Sequence, residues 1–383
     1  MRRVNAITFL NNFVSGALTL LIPLLLIAQH VNIAEIGLVL SALPLVFLIA
    51  RLLLSAAADQ AGWSRIFVLV NWPATFFATA IYYVASSLSA FFSGKVVEGL
   101  RESSYWAVNR KAIFDLSPGA EGREATRTNA IIWLATAVGS AAAGLSIALA
   151  GFSWTLVLLM FTSAAVGIPA LLLWKTGKRS TRPQTSFLKS MNPLGKGSGF
   201  WWASIALMFN SIATYPLLQL LLPIFMQTQL GYGYITIGIL FMLYNVISSL
   251  TAYLTLKVGL SHRRALAQSV IALSASAILA SSGLFFPAVL FTLGFVRGFA
   301  VAYFEHLVHK VAKNSENVCV DIAWLHVPMR LAEFASLISF GFLAQIGGYT
   351  PVFAVTGIFW AAFSLMSVRQ LNKSEHGKQT SLK

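Results

Sequence analysis

Charge is what this chain has least of. Asp, Glu, Lys and Arg make up 10% of its 383 residues, where soluble domains carry about 25%. Hydrophobic residues fill the gap at 57%, with a mean hydropathy of +0.75. Such a composition excludes a soluble globular protein and leaves a polytopic membrane protein. A single cysteine, Cys319, excludes an intramolecular disulfide and a thiolate metal cluster. The six histidines form no H-E-x-x-H pattern, so no metal site is expected. Gly195-Lys196-Gly197-Ser198 lacks the preceding glycine of a P-loop, which argues against direct use of ATP. No cofactor is expected.

What the chain does have is long apolar runs. Stretches of about 20 apolar residues, enough to cross a bilayer, fall near 6–28, 35–57, 66–85, 88–109, 129–150, 154–174, 200–225, 234–256, 265–283, 286–309, 321–346 and 351–369. The expected fold is therefore all-α, with about twelve transmembrane helices. Met1-Arg2-Arg3 opens like a signal peptide, but the run behind it reaches Ala28 and shows no cleavage site. It reads as an uncleaved first span. The one long hydrophilic connection, 175–198, divides the chain into an N-terminal six-helix bundle (1–174) and a C-terminal one (199–370), followed by a tail (371–383).

Lys and Arg number 27, and five of them, Arg51, Lys95, Arg101, Arg297 and Arg330, lie within spans. Placing both termini in the cytoplasm puts all the others on that side, as the positive-inside rule requires. The net charge of +15 then reports orientation and contact with anionic lipid, and needs no nucleic-acid partner. The expected location is the cell membrane, with multiple passes and both termini cytoplasmic.

The two halves also repeat one another. Ile22-Pro23-Leu24 returns as Leu222-Pro223-Ile224, and Ile36-Gly37-Leu38 as Ile237-Gly238-Ile239. Gly62-Trp63-Ser64-Arg65 returns as the turn from Gly259 to Arg263. Gly99 and Tyr105 find counterparts in Gly298 and Phe304, and Ile132-Trp133-Leu134 in Ala323-Trp324-Leu325. Matches kept in one order imply two bundles related by an axis along the membrane normal, with a site between them near the midplane.

Buried charge marks that site. A charge near the bilayer centre costs about 2.5–3.5 kcal/mol on insertion scales, so it persists only when paired or facing water. In the fourth span Lys95, Glu98, Glu102, Tyr105 and Asn109 share one helical face, with Arg101 at its margin. The tenth span holds Arg297, and the eleventh holds His326, Arg330 and Glu333, with Pro328 placed to open the helix. Asn11 and Asn12, Asn210 and Tyr215, and Asn245 add neutral hydrogen-bonding groups in the first, seventh and eighth spans. Two readings stay open: a solute cavity, or a salt-bridge network that only fixes helix packing.

Three motifs resemble those of the major facilitator superfamily, and the likeness runs over nearly the whole chain. Ser55, Asp59, Gly62 and Arg65 follow the family's signature between the second and third spans, with Ser in place of the first Gly and the basic residue displaced. Lys95-Val96-Val97-Glu98-Gly99 is similar to an Arg-x-x-Gln-Gly signature of the fourth span, with Lys for Arg and Glu for Gln. Gly139 to Gly144 keeps the small residues of a fifth-span signature but lacks its Pro. The resemblance implies two bundles rocking about a central cavity lined by the first, fourth, seventh and tenth spans. It also implies a cytoplasmic latch at Asp59, Gly62 and Arg65.

The expected activity is secondary transport of a small organic solute, coupled to protons and carried out by a monomer in the lipid bilayer, rather than catalysis. Substrate-binding groups are expected from Asn11, Lys95, Glu98, Arg101, Asn210, Tyr215, Asn245, Arg297, Arg330 and Glu333. Proton coupling is expected from Glu98, Glu102 and His326. The five intramembrane cations exceed the three central acids, which leans towards an organic anion. The rivals are a solute sensor or scaffold that binds without transport, and a membrane enzyme acting on lipid.

Overall fold

The computed structural model describes residues 1–117, 121–174, 195–258, 261–312 and 318–380. The linker expected at 175–198 falls mostly outside the described residues. Within them the chain forms twelve long helices; ten helical stretches are long and apolar enough to cross a membrane, with the fifth and sixth helices counted as one and the charged fourth left out. The first half holds α1 (Arg2–Ala28), α2 (Ile33–Ala61), α3 (Trp63–Val84), α4 (Leu88–Leu116), α5 (121–150) and α6 (152–173). The second holds α7 (Ser198–Thr228), α8 (Tyr234–Val258), α9 (His262–Ser281), α10 (Phe286–Ala312), α11 and α12 (Tyr349–Thr380). α11 comes in two pieces, Val318–Leu325 and Val327–Gly347. α12 continues past the expected boundary at 370 because no Pro interrupts it.

Local sequence explains the breaks. α5 and α6 are separated at Gly151, whose φ of +79° is left-handed and suits a residue without a Cβ. The Thr155 hydroxyl donates to that of Ser146 at 3.0 Å. Nine residues of straight helix would set them about 13.5 Å apart, so the chain doubles back here. In α3 and α7 a wide π-turn, Phe67–Asn71 and Leu217–Leu221, precedes Pro73 and Pro223. The wider turn gives the proline ring room that an α-turn lacks. α11 breaks at His326, two residues before Pro328, as the sequence predicts.

Apolar side chains face outward all round the bundle, among them Leu69, Leu149, Phe161 and Ile346. Lipid takes up that surface without forcing helices together, so association falls to close packing and polar ties. Packing between the halves is reciprocal: α2 crosses α11, and α8 crosses α5. Glycine allows both crossings. A Cβ on Gly37 would strike the Leu337 carbonyl, and one on Gly341 would lie 2.9 Å from the Ile33 carbonyl oxygen. At the other crossing, a Cβ on Gly238 would lie 3.0 Å from the Ser140 carbonyl oxygen and 3.1 Å from Gly144 Cα. The repeated Ile-Gly of each half thus presses on the fifth helix of the other. Both crossings lie at the end of the molecule where α2 and α8 begin.

Candidate functional site: two charged clusters and a seam

α4 carries the first cluster. Its four charged residues fall within two turns, from 95 to 102, and pair with one another. Lys95 Nζ donates to Glu98 Oε2 at 2.8 Å, and Arg101 Nη2 reaches Glu98 at 3.5 Å and Glu102 Oε1 at 2.6 Å. Neighbouring spans complete the network. Tyr82 of α3 donates to Glu98 at 2.6 Å, and Ser15 of α1 donates to Glu102 at 2.8 Å. Trp106 Nε1 reaches the other Glu102 oxygen at 3.1 Å. Arg101 also donates to the Asn11 backbone carbonyl at 3.0 Å. Asn71, in the π-turn of α3, donates to Asn11 Oδ1 at 3.3 Å and to the Arg101 carbonyl at 3.0 Å. Two cations meet two carboxylates, so the cluster is formally neutral. Arg101, expected at the margin of the face, is fully buried at its centre, because its long side chain reaches two carboxylates at once.

The second cluster joins α7 and α11. Arg330 Nη1 pairs with Glu333 Oε2 at 2.6 Å, and Ser211 donates to the other Glu333 oxygen. This pair is also neutral. Tyr215 lies one turn after Ser211, on the same face of α7. Across the α2–α11 seam, Arg51 Nη1 lies 2.7 Å from His326 Nδ1. Arginine has no acceptor, so that nitrogen accepts and carries no proton in this arrangement. Phe47 of α2 is clasped between two guanidiniums, Arg51 at 5.3 Å and Arg330 at 3.7 Å from its ring centre.

Arg297 of α10 stands apart from both. It donates from Nη1 to Asn245 Oδ1 at 2.8 Å, and its guanidinium lies over the rings of Trp133 (4.4 Å) and Tyr244 (5.4 Å). Trp133 belongs to α5, Tyr244 and Asn245 to α8, so this group too spans the seam.

The expected residues therefore fall into three groups: Asn11 with Lys95, Glu98, Arg101 and Glu102; Tyr215 with Arg330 and Glu333; Asn245 with Arg297. Asn210 lies beside Ser211 on α7, with a buried Oδ1 that makes no hydrogen bond. Of the expected latch, Gly62 ends α2 at a φ of +95° and Arg65 is exposed. The Asp59 side chain lies outside the described residues. Sequence reasoning missed Tyr82, Asn71, Ser15, Phe47, Ser211, Trp133 and Tyr244. Each is an ordinary helix residue in sequence, and only its neighbours across space give it a role. Arg51 did carry a signal, as a cation inside a span.

Comparison with curated proteins returns no match to this chain. Several solved structures share its fold across nearly its full length. The nucleoside transporter NupG matches with a TM-score of 0.69 at 17% identity, covering 97% of this chain and 98% of its own. A bacterial homologue of the human lysosomal transporter Spinster, inward-facing and unoccupied, gives 0.71 at 16% identity, with 97% and 96% covered. A D-xylose–proton symporter gives 0.72 at 14% identity, with 95% and 96% covered. The family model for the Major Facilitator Superfamily matches residues 4–318. This chain belongs to that superfamily, and is a membrane transporter rather than an enzyme.

Proposed function

We propose that the protein moves a small organic solute across the cell membrane by alternating access, driven by protons. The observation that carries this reading is the polar seam shared by both halves, where Arg51 of one half lies 2.7 Å from His326 of the other and Arg297 lies 4.4 Å from the Trp133 ring. A polar site shared by two bundles is what rocking about a midplane site requires. Asn11, Lys95, Glu98, Arg101, Asn210, Tyr215, Asn245, Arg297, Arg330 and Glu333 supply its groups. One chain carries both halves of the site, which supports a monomer. With both termini cytoplasmic, as the distribution of Lys and Arg supports, the two glycine crossings close the external end. The turn at Asp59, Gly62 and Arg65 then lies at the cytoplasmic gate.

Glu102 is the better proton carrier of the two α4 carboxylates. Each has three partners, but Glu98 is 3% exposed whereas Glu102 keeps 13% exposure. His326, at the α2–α11 seam, is a second titratable group. One of the similar folds is a D-xylose–proton symporter, which agrees with proton coupling.

Proteoliposomes test this reading. Glu102→Gln is expected to abolish pH-driven uptake while sparing counterflow of the same solute. Unchanged pH-driven uptake in Glu102→Gln and in the Glu98→Gln/Glu102→Gln double variant would sink the coupling. Solute binding with no counterflow in the unaltered protein would make it a sensor or scaffold.

A further inference from the structure

Two of the charged clusters described above are balanced, and the group around Arg297 is not. Lys95 and Arg101 face Glu98 and Glu102, and Arg330 faces Glu333. Among the described residues, no carboxylate lies within ion-pair distance of Arg297. Nor does one lie near it in sequence, since residues 293–301 read Leu-Gly-Phe-Val-Arg-Gly-Phe-Ala-Val. Its contacts are one neutral amide, Asn245, and two aromatic faces. These soften the cost of burying the charge without cancelling it. A guanidinium has five N–H donors, and only one is engaged by Asn245. Arg297 is buried, so a charge without a carboxylate there is costly. Beside it, the buried hydroxyl of Tyr244 finds no acceptor for its proton, since a guanidinium only donates. A cation without a carboxylate next to a hydroxyl without an acceptor is half of an oxyanion site.

We infer that Arg297 receives the acidic group of an organic anion, a carboxylate or phosphate, with the Tyr244 hydroxyl donating a second bond. The guanidinium lies over the rings of Trp133 and Tyr244, which accept no conventional hydrogen bond from it, and its remaining N–H donors suit the bidentate pairing of planar oxyanions. An anion held there lies in the seam between α5 of one half and α8 and α10 of the other. Its arrival supplies the missing counter-charge and would link the two halves. This role for Arg297 deepens the transport reading and rests on it for the word substrate, while the binding site is tested without transport.

The test is thermal unfolding of the full-length protein in detergent with matched probes: benzoate and phenyl phosphate against benzamide and benzylammonium. At least one oxyanion is expected to raise the unfolding midpoint where its neutral and cationic analogues do not. Arg297→Gln, shown folded by size exclusion, is expected to weaken that oxyanion about tenfold to hundredfold, the loss of one charge-assisted pair. Tyr244→Phe is expected to weaken it less, and Arg297→Lys to restore part of it. Equal stabilisation by benzoate and benzamide, or oxyanion binding that survives Arg297→Gln, overturns the assignment. So does the absence of any effect of either oxyanion. Oxyanion binding without counterflow leaves the Arg297 site standing and sinks only the transport reading. Counterflow of a neutral solute with no oxyanion preference does the reverse.

Discussion

Lys95 is buried to 1% exposure, and its charge is balanced at 2.8 Å by Glu98. Changing Glu98→Gln keeps the shape and removes the balance. The lysine then keeps only a neutral amide and the face of Tyr82, 5.7 Å from Nζ. Breaking a buried pair from one side costs about 3–5 kcal/mol, because it leaves a charge with no partner. For a chain longer than 250 residues each kcal/mol moves the midpoint by about 2 °C, so the expected fall is about 6–10 °C. Lys95→Met should cost less, since Glu98 keeps Tyr82 at 2.6 Å and Arg101 at 3.5 Å. In the double variant Lys95→Met/Glu98→Gln the uncompensated charge is gone, and most of the loss should be recovered. The cycle should return a coupling of about 1–3 kcal/mol. Intrinsic fluorescence of the purified protein, heated at one fixed rate, reads all four midpoints. A Glu98→Gln midpoint within about 1 °C of the unaltered protein, or strictly additive single effects, would refute the balance of charge described here.

Two further perturbations probe the seam. Gly144→Val drives a side chain onto the Tyr234 carbonyl and to 2.9 Å from Gly238 Cα, against an ordinary carbon contact of about 3.5–4.0 Å. α5 and α8 must then part by about 1 Å. In a Cys319→Ser background, Ala141→Cys should react faster with an impermeant maleimide when Gly144→Val is present. Equal rates would mean that the glycine crossing does not hold this end closed. Phe47→Leu removes the ring clasped by Arg51 and Arg330, two cation–π contacts worth about 0.5–2 kcal/mol each. It should lower the midpoint by a few degrees while Phe47→Tyr does not, and an unchanged midpoint in Phe47→Leu would show those contacts to be incidental.

Twelve apolar runs, an internal repeat and one-sided basic residues were enough to determine the fold class of this protein. Hydropathy and turn chemistry are properties of short stretches, and the bilayer leaves a helix as the only local solution. The same logic located the gap between the fifth and sixth spans, Pro328 and the charges of α4, α10 and α11, since a charge in an apolar run is visible wherever it falls. Pairing between spans was not visible. The repeat Ile36-Gly37 and Ile237-Gly238 stood out in the sequence, but that each glycine presses on the opposite half appeared only when α2 met α11 and α8 met α5. Lys95, Glu98, Arg101 and Arg297 look alike in a hydropathy profile. The tertiary structure separated them, giving the first three partners within one helix and Arg297 none among the described carboxylates. The physical reason is range. A helix dictates contacts only three or four residues away, while the balance of a buried charge depends on side chains brought from distant spans, as with Asn245, 52 residues away, and Trp133, 164 residues away, around Arg297.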